Sequence, residues 1–325
     1  MDEVVEALKC AAEPTRLRLL ALLAHGELTV GEICRVLGQS QPRVSRHLRL
    51  LTEAGFLDRF REQQCVYYRV PVSGRSLGWL RQLLQFLDPS EPQLRRDRER
   101  MAEVQAARAQ AAARQLPPAG GVGDGALPRE LGQCVLDELG PAGVGELLDV
   151  GTGGGCMLEL LGAQAQRAVG LDLQTAALRL ARTRVHGAGL AHCELQRGDM
   201  YAIPCESASF DTVSMDRVLG NAQQPRAALR EAARVLRPGG RLVVVEDYEQ
   251  LPADRTGQAS GARAPADNPL ALLRGWFAAA GLQVERLRPR DLAGRHFLIA
   301  VARVPTPAGS APRAFDPSST QASTA

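Results

Sequence analysis

The sequence predicts two domains of unlike architecture: a small helical domain closed by a β-hairpin, then an α/β domain built on a doubly wound sheet. Three observations carry this. Capped, helix-period apolar patterns fill the first ninety residues. A Pro/Gly-rich break follows at Pro117-Pro118-Ala-Gly-Gly-Val-Gly-Asp-Gly125. Beyond Glu146, short apolar runs alternate with helical stretches, the pattern of a parallel sheet. A length of 325 residues suits two such domains.

Composition narrows the class. The apolar fraction, 45%, can fill more than one core. The net charge of +3 is too small for a polycation, so basic patches are sought locally. Almost all positive charge is arginine; Lys9 is the only lysine. No apolar run reaches about 18 residues, so no membrane span is expected. The acidic start, Met1-Asp-Glu-Val-Val-Glu6, does not resemble a signal peptide. Seven cysteines without a C-x-x-C pair suit free thiols in a reducing cytoplasm and predict no metal site.

Residues 1–90 form the first predicted domain. Pro14 opens a helix carrying Leu17, Leu19, Leu20, Leu22 and Leu23. Thr29, with Glu32 three residues on, has capping-box spacing for the next helix, which Gly38 stops. Ser40 and Pro42 open a third. Val44, Leu48 and Leu51 share its apolar face; Gln41, Arg43, Ser45, Arg46 and Arg49 are left for the other. Helix, tight turn and second helix make a helix-turn-helix, and the polar face has the forked donors, amide and hydroxyl that a major-groove reader needs. Leu57 to Arg61 and Cys65 to Val70 read as a hairpin wing offering Arg59, Arg61 and Arg69 to phosphates. From Arg43 to Arg75, seven arginines face only Glu53, Asp58 and Glu62. A solvated basic face is the competing reading.

Glu13-Pro-Thr-Arg16, Ser40-Gln-Pro-Arg-Val-Ser-Arg-His-Leu-Arg-Leu-Leu51, Glu53-Ala-Gly55 and Val66-Tyr-Tyr-Arg69 resemble the ArsR-type winged-helix repressors over Val4 to Leu87. The resemblance implies a homodimer on a palindromic operator, released by an effector. Leu77, Leu80, Leu83, Leu84 and Leu87 form a stripe suited to the dimer contact or to the domain's own core. The metal-sensing relatives carry a cysteine cluster where this chain keeps Cys34 alone, a poor soft-metal site.

Residues 91–126 are read as a linker, first an exposed Arg/Glu-rich helix and then a flexible stretch. Residues 127–304 are the second domain; 305–325, rich in Pro, Ser, Thr and Ala, are expected to be disordered. In the second domain Glu146-Leu-Leu-Asp-Val150 is a buried strand feeding Gly151-Thr-Gly-Gly-Gly155. Further strands are expected at Arg167 to Asp172, ending at Asp199, at Phe210 to Asp216 and at Arg241 to Asp247, with a terminal pair at Leu282 to Leu287 and Arg295 to Val301. Ligands of such sheets lie at the carboxyl ends of the strands. Asp149, Asp172 and Asp199 stand there. Asp172 is placed for two ribose hydroxyls, Asp199-Met200 for an adenine, and Asp149 with the loop for an ammonium. A dinucleotide is the rival ligand, but Cys156 fills the position where that fingerprint needs a small residue.

Leu148-Asp-Val-Gly-Thr-Gly-Gly-Gly155, Gly170-Leu-Asp172, Gly198-Asp-Met200, Ser209-Phe-Asp211 and Leu236-Arg-Pro-Gly-Gly240 resemble the class I S-adenosylmethionine-dependent methyltransferases. The resemblance implies a Rossmann-like domain holding S-adenosylmethionine or S-adenosylhomocysteine through Asp149, Gly151, Gly153, Gly155, Asp172, Leu173, Asp199, Met200 and Asp216. It fixes no methyl acceptor. Asp216, Asp247 and Tyr248 are candidate bases, with structural roles as the alternative. No Phe, Tyr or Trp falls between Phe86 and Tyr201, although relatives carry an aromatic-rich segment there. Cys156, Cys193 and Cys205 do not match the arrangement of arsenic methyltransferases. Two functions follow as expectations. One is a cytoplasmic repressor with the adenosyl ligand as effector and methionine-cycle genes as the candidate regulon. The other is an active methyltransferase on a small acceptor with a fused DNA-binding domain.

Overall fold

The computed structural model describes residues 2–62, 64–71, 75–115, 127–141, 143–251, 268–292 and 294–306. The predicted flexible stretch at 116–126 and most of the predicted tail lie outside them. The chain forms two compact units, 1–115 with 182–192, and 116–181 with 193–325.

The first unit begins with α1 (Asp2–Ala11), α2 (Pro14–Leu23), β1 (Leu28–Thr29), α3 (Val30–Leu37) and α4 (Gln41–Glu53). The hairpin β2 (Asp58–Glu62) and β3 (Cys65–Arg69) follows, then α5 (Arg75–Gln85) and α6 (Pro92–Ala113). Strand β1 adds to the hairpin, giving the order β1-β3-β2. The caps of α3 are those the sequence signals: Glu32 N donates to the Thr29 hydroxyl and Thr29 N to the Glu32 carboxylate, while Gly38 closes the helix with φ of 65°; Ser40 stands at the N-cap of α4 without a side-chain cap hydrogen bond. Leu19, Leu20, Ile33, Val44, Leu48, Leu51 and Phe56 are fully buried in the core. In the α5 stripe, Leu80 is buried and Leu83 and Leu84 pack on the same core.

Helix α6 departs from the exposed linker helix expected at 91–115. Leu94, Met101, Val104 and Ala112 form a buried stripe, together with Asp97 and Arg108. Asp97 pairs with Arg18 at 2.7 Å, and Arg108 with Glu32 at 2.6 Å. Paired this way, two charged residues enter a core and the helix becomes part of the first unit.

The second unit contains α7 (Arg129–Leu139), β4 (Gly145–Val150), α8 (Cys156–Gly162), β5 (Ala165–Asp172), α9 (Thr175–Gly187), β6 (Cys193–Arg197), β7 (Phe210–Asp216), α10 (Pro225–Val235), β8 (Leu236–Asp247), α11 (Pro269–Ala279), β9 (Gln283–Leu292) and β10 (Arg295–Arg303). Its seven-stranded sheet runs β6-β5-β4-β7-β8-β10-β9, with β10 alone running antiparallel to its neighbours β8 and β9. The strand order reverses at β4: β5 and β6 build outward on one side, β7 and β8 on the other. The switch point therefore lies at the carboxyl ends of β4 and β7. Strand β8 starts at Leu236, earlier than expected, because Leu236 pairs with Phe210 and a register shift absorbs the Arg-Pro-Gly-Gly segment.

Helix α9 is divided between the units. Its last residues, from Arg182, count with the first. Arg182 is fully buried there: Nε donates to Glu27 at 2.7 Å, Nη2 to Glu62 at 2.5 Å, and the guanidinium lies 4.4 Å from the centre of the Tyr67 ring. One turn on, His186 Nε2 accepts from Glu27 N at 3.2 Å. A side chain on Gly26 would overlap that imidazole, 2.2 Å from Nδ1, so glycine is required at this turn.

Candidate functional site: a recognition helix and a strand-end ligand site

The first unit presents α4. Gln41, Arg43, Arg46 and Arg49 are exposed, Ser45 is half-buried, and Val44, Leu48 and Leu51 hold the helix on its opposite face. Arg49 lies 3.8 Å from Glu53 one turn on, an exposed pair that costs little to break. On the wing, Arg59 and Arg61 are exposed and alternate with Phe60 and the buried Glu62. Arg69 corrects the expectation of a third wing phosphate contact. It is turned inward, 3.3 Å from Glu27 and 3.6 Å from Asp58, with its guanidinium over Phe60. Strand alternation puts it on the face of the hairpin that carries Phe60 and Tyr67, away from Arg59 and Arg61.

In the second unit the glycine loop joins β4 to α8 at the switch point. Gly151, Gly153 and Gly155 all have positive φ, at 69°, 53° and 81°. A Cβ on Gly151 would lie 2.6 Å from Val218 Cγ2, and one on Gly155 3.0 Å from Ala181 backbone. The loop is thus glycine for close packing as well as for conformation. Gly153 N donates to Asp172 Oδ2 at 2.9 Å and Gln174 N to Asp172 Oδ1 at 2.8 Å, fixing the acid at the end of β5. Leu173 beside it is exposed. Burial raises the Asp172 pKa despite those N–H donors.

Asp149 lies beneath the loop and is fully buried. Its oxygens accept from the Thr152 and Ser214 hydroxyls, both at 2.7 Å. Burial pushes its pKa up to about 7, with Asp216 and Asp172 adding to the rise. Asp199 lies in a turn past the end of β6, its Oδ1 taken by Tyr201 N at 2.9 Å, and Met200 is half-buried against the core. Among the candidate bases, Asp216 is paired with Arg217, Asp247 is buried and paired with Arg295 at 2.6 Å, and Tyr248 is half-buried. Asp149, Asp172 and Asp216 therefore converge on the glycine loop, whereas Asp247 is drawn into its own ion pair.

Sequence reasoning alone misses Glu246. It is fully buried at the end of β8 and accepts from Leu219 N at 2.6 Å and Gly220 N at 3.1 Å. It thereby holds the turn after β7. Burial pushes its pKa up to about 8. As one acid at the end of a buried strand, next to Asp247, it has no pattern of its own to single it out. Among the described residues no group of three or more His, Cys, Asp or Glu is placed to hold a metal ion, and no helix is long and apolar enough to cross a membrane.

A winged helix-turn-helix unit and a switch-point site lined by acids and glycines define a class of chain that joins a DNA-binding module to a methyltransferase-type α/β domain. Comparison with known proteins agrees. Residues 13–59 match the family described as bacterial regulatory protein, arsR family, and residues 148–244 match the methyltransferase domain family. The arsenic resistance transcriptional regulator ArsR1 of Pseudomonas putida is 41% identical over 98 residues, covering 30% of this chain and 75% of that protein. The chain therefore belongs to the arsR family of bacterial regulatory proteins through its first unit, and its second unit is a methyltransferase domain. An uncharacterized 37.1 kDa protein in a Streptomyces fradiae transposon is 37% identical over 130 residues, covering 39% of this chain and 37% of that one. The ubiquinone/menaquinone biosynthesis C-methyltransferase UbiE of a Ruegeria species is 38% identical over 124 residues, covering 37% of this chain and 49% of that enzyme. This chain thus spans less than half the length of those two relatives. The cofactor of such a domain is S-adenosylmethionine, and S-adenosylhomocysteine is its demethylated form. The site suits it: the acid at the end of β5 is fixed by backbone donors, and a Cβ on Gly154 in the loop would meet open space.

Proposed function

We propose that the protein is a DNA-binding transcriptional regulator, a homodimeric repressor of the cytoplasm, whose methyltransferase domain binds S-adenosylmethionine or S-adenosylhomocysteine as effector. The observation that carries the reading is the pairing of an exposed Gln/Arg face on α4 with an ordered adenosyl-type site at the β4–β7 switch point. In this reading Asp172 takes the ribose, Asp199, Met200 and Leu173 the adenine, and Gly151, Gly153, Gly155, Asp149 and Asp216 the methionine end. Asp216 and Asp247, the two acids among the candidate bases, already serve arginines, which favours sensing over proton abstraction. Genes of the methionine cycle are the natural regulon for such an effector. The mechanism is a population shift, in which ligand changes the DNA affinity by its differential affinity for two states.

The likeness to UbiE supports a second reading, an active methyltransferase on a small acceptor. Transfer would then be an in-line displacement driven by proximity. Titrating operator DNA with the protein, with and without each adenosyl ligand, separates the two. Unchanged DNA affinity, together with methyl transfer to an acceptor, would sink the sensor reading.

Two expected results belong here. Arg46→Ala should weaken operator binding by about 1–3 kcal/mol while leaving S-adenosylhomocysteine affinity unchanged, measured by gel shift and calorimetry. Equal loss of both would overturn the division of labour. Affinity for S-adenosylhomocysteine should also rise with pH and level off above about 7, where Asp149 becomes ionised. The sign follows from the ligand's ammonium, which favours the carboxylate, so binding releases a proton wherever Asp149 holds one. Calorimetry across this range should show the slope, and Asp149→Asn should flatten it.

A further inference from the structure

Arg217 follows Asp216 at the end of β7 and has the left-handed φ of 56°, which non-glycine residues rarely adopt. Its N–H donates to Val245 O at 2.7 Å, locking the backbone to the neighbouring strand. The reversal folds its side chain back along Asp216, although neighbours along a strand normally point to opposite faces. Nε donates to Asp216 Oδ1 at 2.9 Å and Nη2 to Oδ2 at 2.7 Å, and both side chains are largely buried. Five N–H donors make up a guanidinium fork, so this pair leaves its Nη1–Nη2 edge for a second carboxylate.

The pair stands at the ligand site. Val218, the next residue, packs against Gly151 closely enough to exclude a side chain there. The charge of Asp216 is felt by Asp149 beneath the loop, and Arg217 interacts electrostatically with Cys156 at its far end. Asp216 and Arg217 therefore flank the glycine loop at the switch point. The amino-acid end of S-adenosylmethionine and S-adenosylhomocysteine is a zwitterion, one ammonium and one carboxylate on a single carbon. An adjacent acid and arginine present the complementary charges.

Resting on the adenosyl-ligand reading above, we propose that Asp216 and Arg217 form a clamp for the amino-acid end of the ligand, Asp216 taking the α-ammonium and Arg217 the α-carboxylate. Arg217 is then a specificity residue. It separates ligands that carry the amino acid from adenosyl thioethers that lack it, such as 5′-methylthioadenosine.

The test is calorimetric titration of the full chain and of Arg217→Asn with S-adenosylhomocysteine and with 5′-methylthioadenosine. Asparagine tolerates the left-handed backbone, so the turn is kept. The expected result is a loss of about 10- to 100-fold for S-adenosylhomocysteine, the range for a hydrogen bond to a charged group, with 5′-methylthioadenosine affinity unchanged. Arg217→Lys should lose less, retaining the charge without the fork. Equal losses for both ligands would assign Arg217 to shaping the loop and overturn the clamp, as would S-adenosylhomocysteine affinity within about twofold of wild type. Wild-type protein that binds neither ligand would overturn the adenosyl reading itself, and the clamp with it.

Discussion

Asp172→Ala should lower S-adenosylhomocysteine affinity by about 100-fold or more while operator affinity without ligand stays the same. Two effects add. The ribose hydroxyls lose a charged acceptor, worth about 1.5–3 kcal/mol for each hydrogen bond. The loop also loses an anchor, because Gly153 N and Gln174 N both donate to this carboxylate. Asp172→Asn separates them, since it keeps one oxygen for the loop and removes the charge. Calorimetry of both variants, with gel shifts of the ligand-free proteins, makes the measurement. A fall in operator affinity equal to the fall in ligand affinity would mean that Asp172 holds the fold rather than the ligand.

The largest effect on stability is expected at Arg182. Arg182→Met keeps the length of the side chain and removes the cation that Glu27 and Glu62 share. Glu27 retains Arg69 at 3.3 Å, but Glu62 is left buried. Removing one partner of a buried pair costs about 3–5 kcal/mol, a large share of the stability of a small unit. Urea unfolding followed by circular dichroism should show the change, and a loss below about 1 kcal/mol would refute it. The double variant Arg182→Met with Glu62→Gln should recover part of the loss, because the orphaned charge is gone.

Much of this was legible in the chain. The Thr29–Glu32 capping box, the Gly38 stop and the Val44, Leu48 and Leu51 spacing are local signals, and each formed as the sequence indicates. The strands β4, β5 and β7 are apolar runs with an acid at or next to the last position, which placed Asp149, Asp172 and Asp216 at one end of the sheet. What escaped was long-range pairing of charges. Helix α6 reads as solvated because Asp97 and Arg108 interrupt its thin apolar stripe; only Arg18 and Glu32, 79 and 76 positions away, make those residues buryable. Arg69 looks like a phosphate ligand until Glu27 is placed beside it. Arg217 is one arginine among many until its backbone angle folds it onto Asp216.

The membership of residues 182–192 in the first unit bears on how the chain is made. During synthesis α1 to α6 leave the ribosome first, yet the cation that neutralises Glu27 and Glu62 emerges only with Arg182, after β4 and β5. Folding of the amino-terminal unit therefore reaches completion only when part of the α/β sheet has also been translated, instead of finishing domain by domain from the amino terminus. A prematurely terminated or clipped product ending near residue 115 would carry every recognition-helix side chain and still lack the residue that settles its core. Such a fragment should be less stable than the same unit in the full chain, because Glu27 and Glu62 would lack the cation they share.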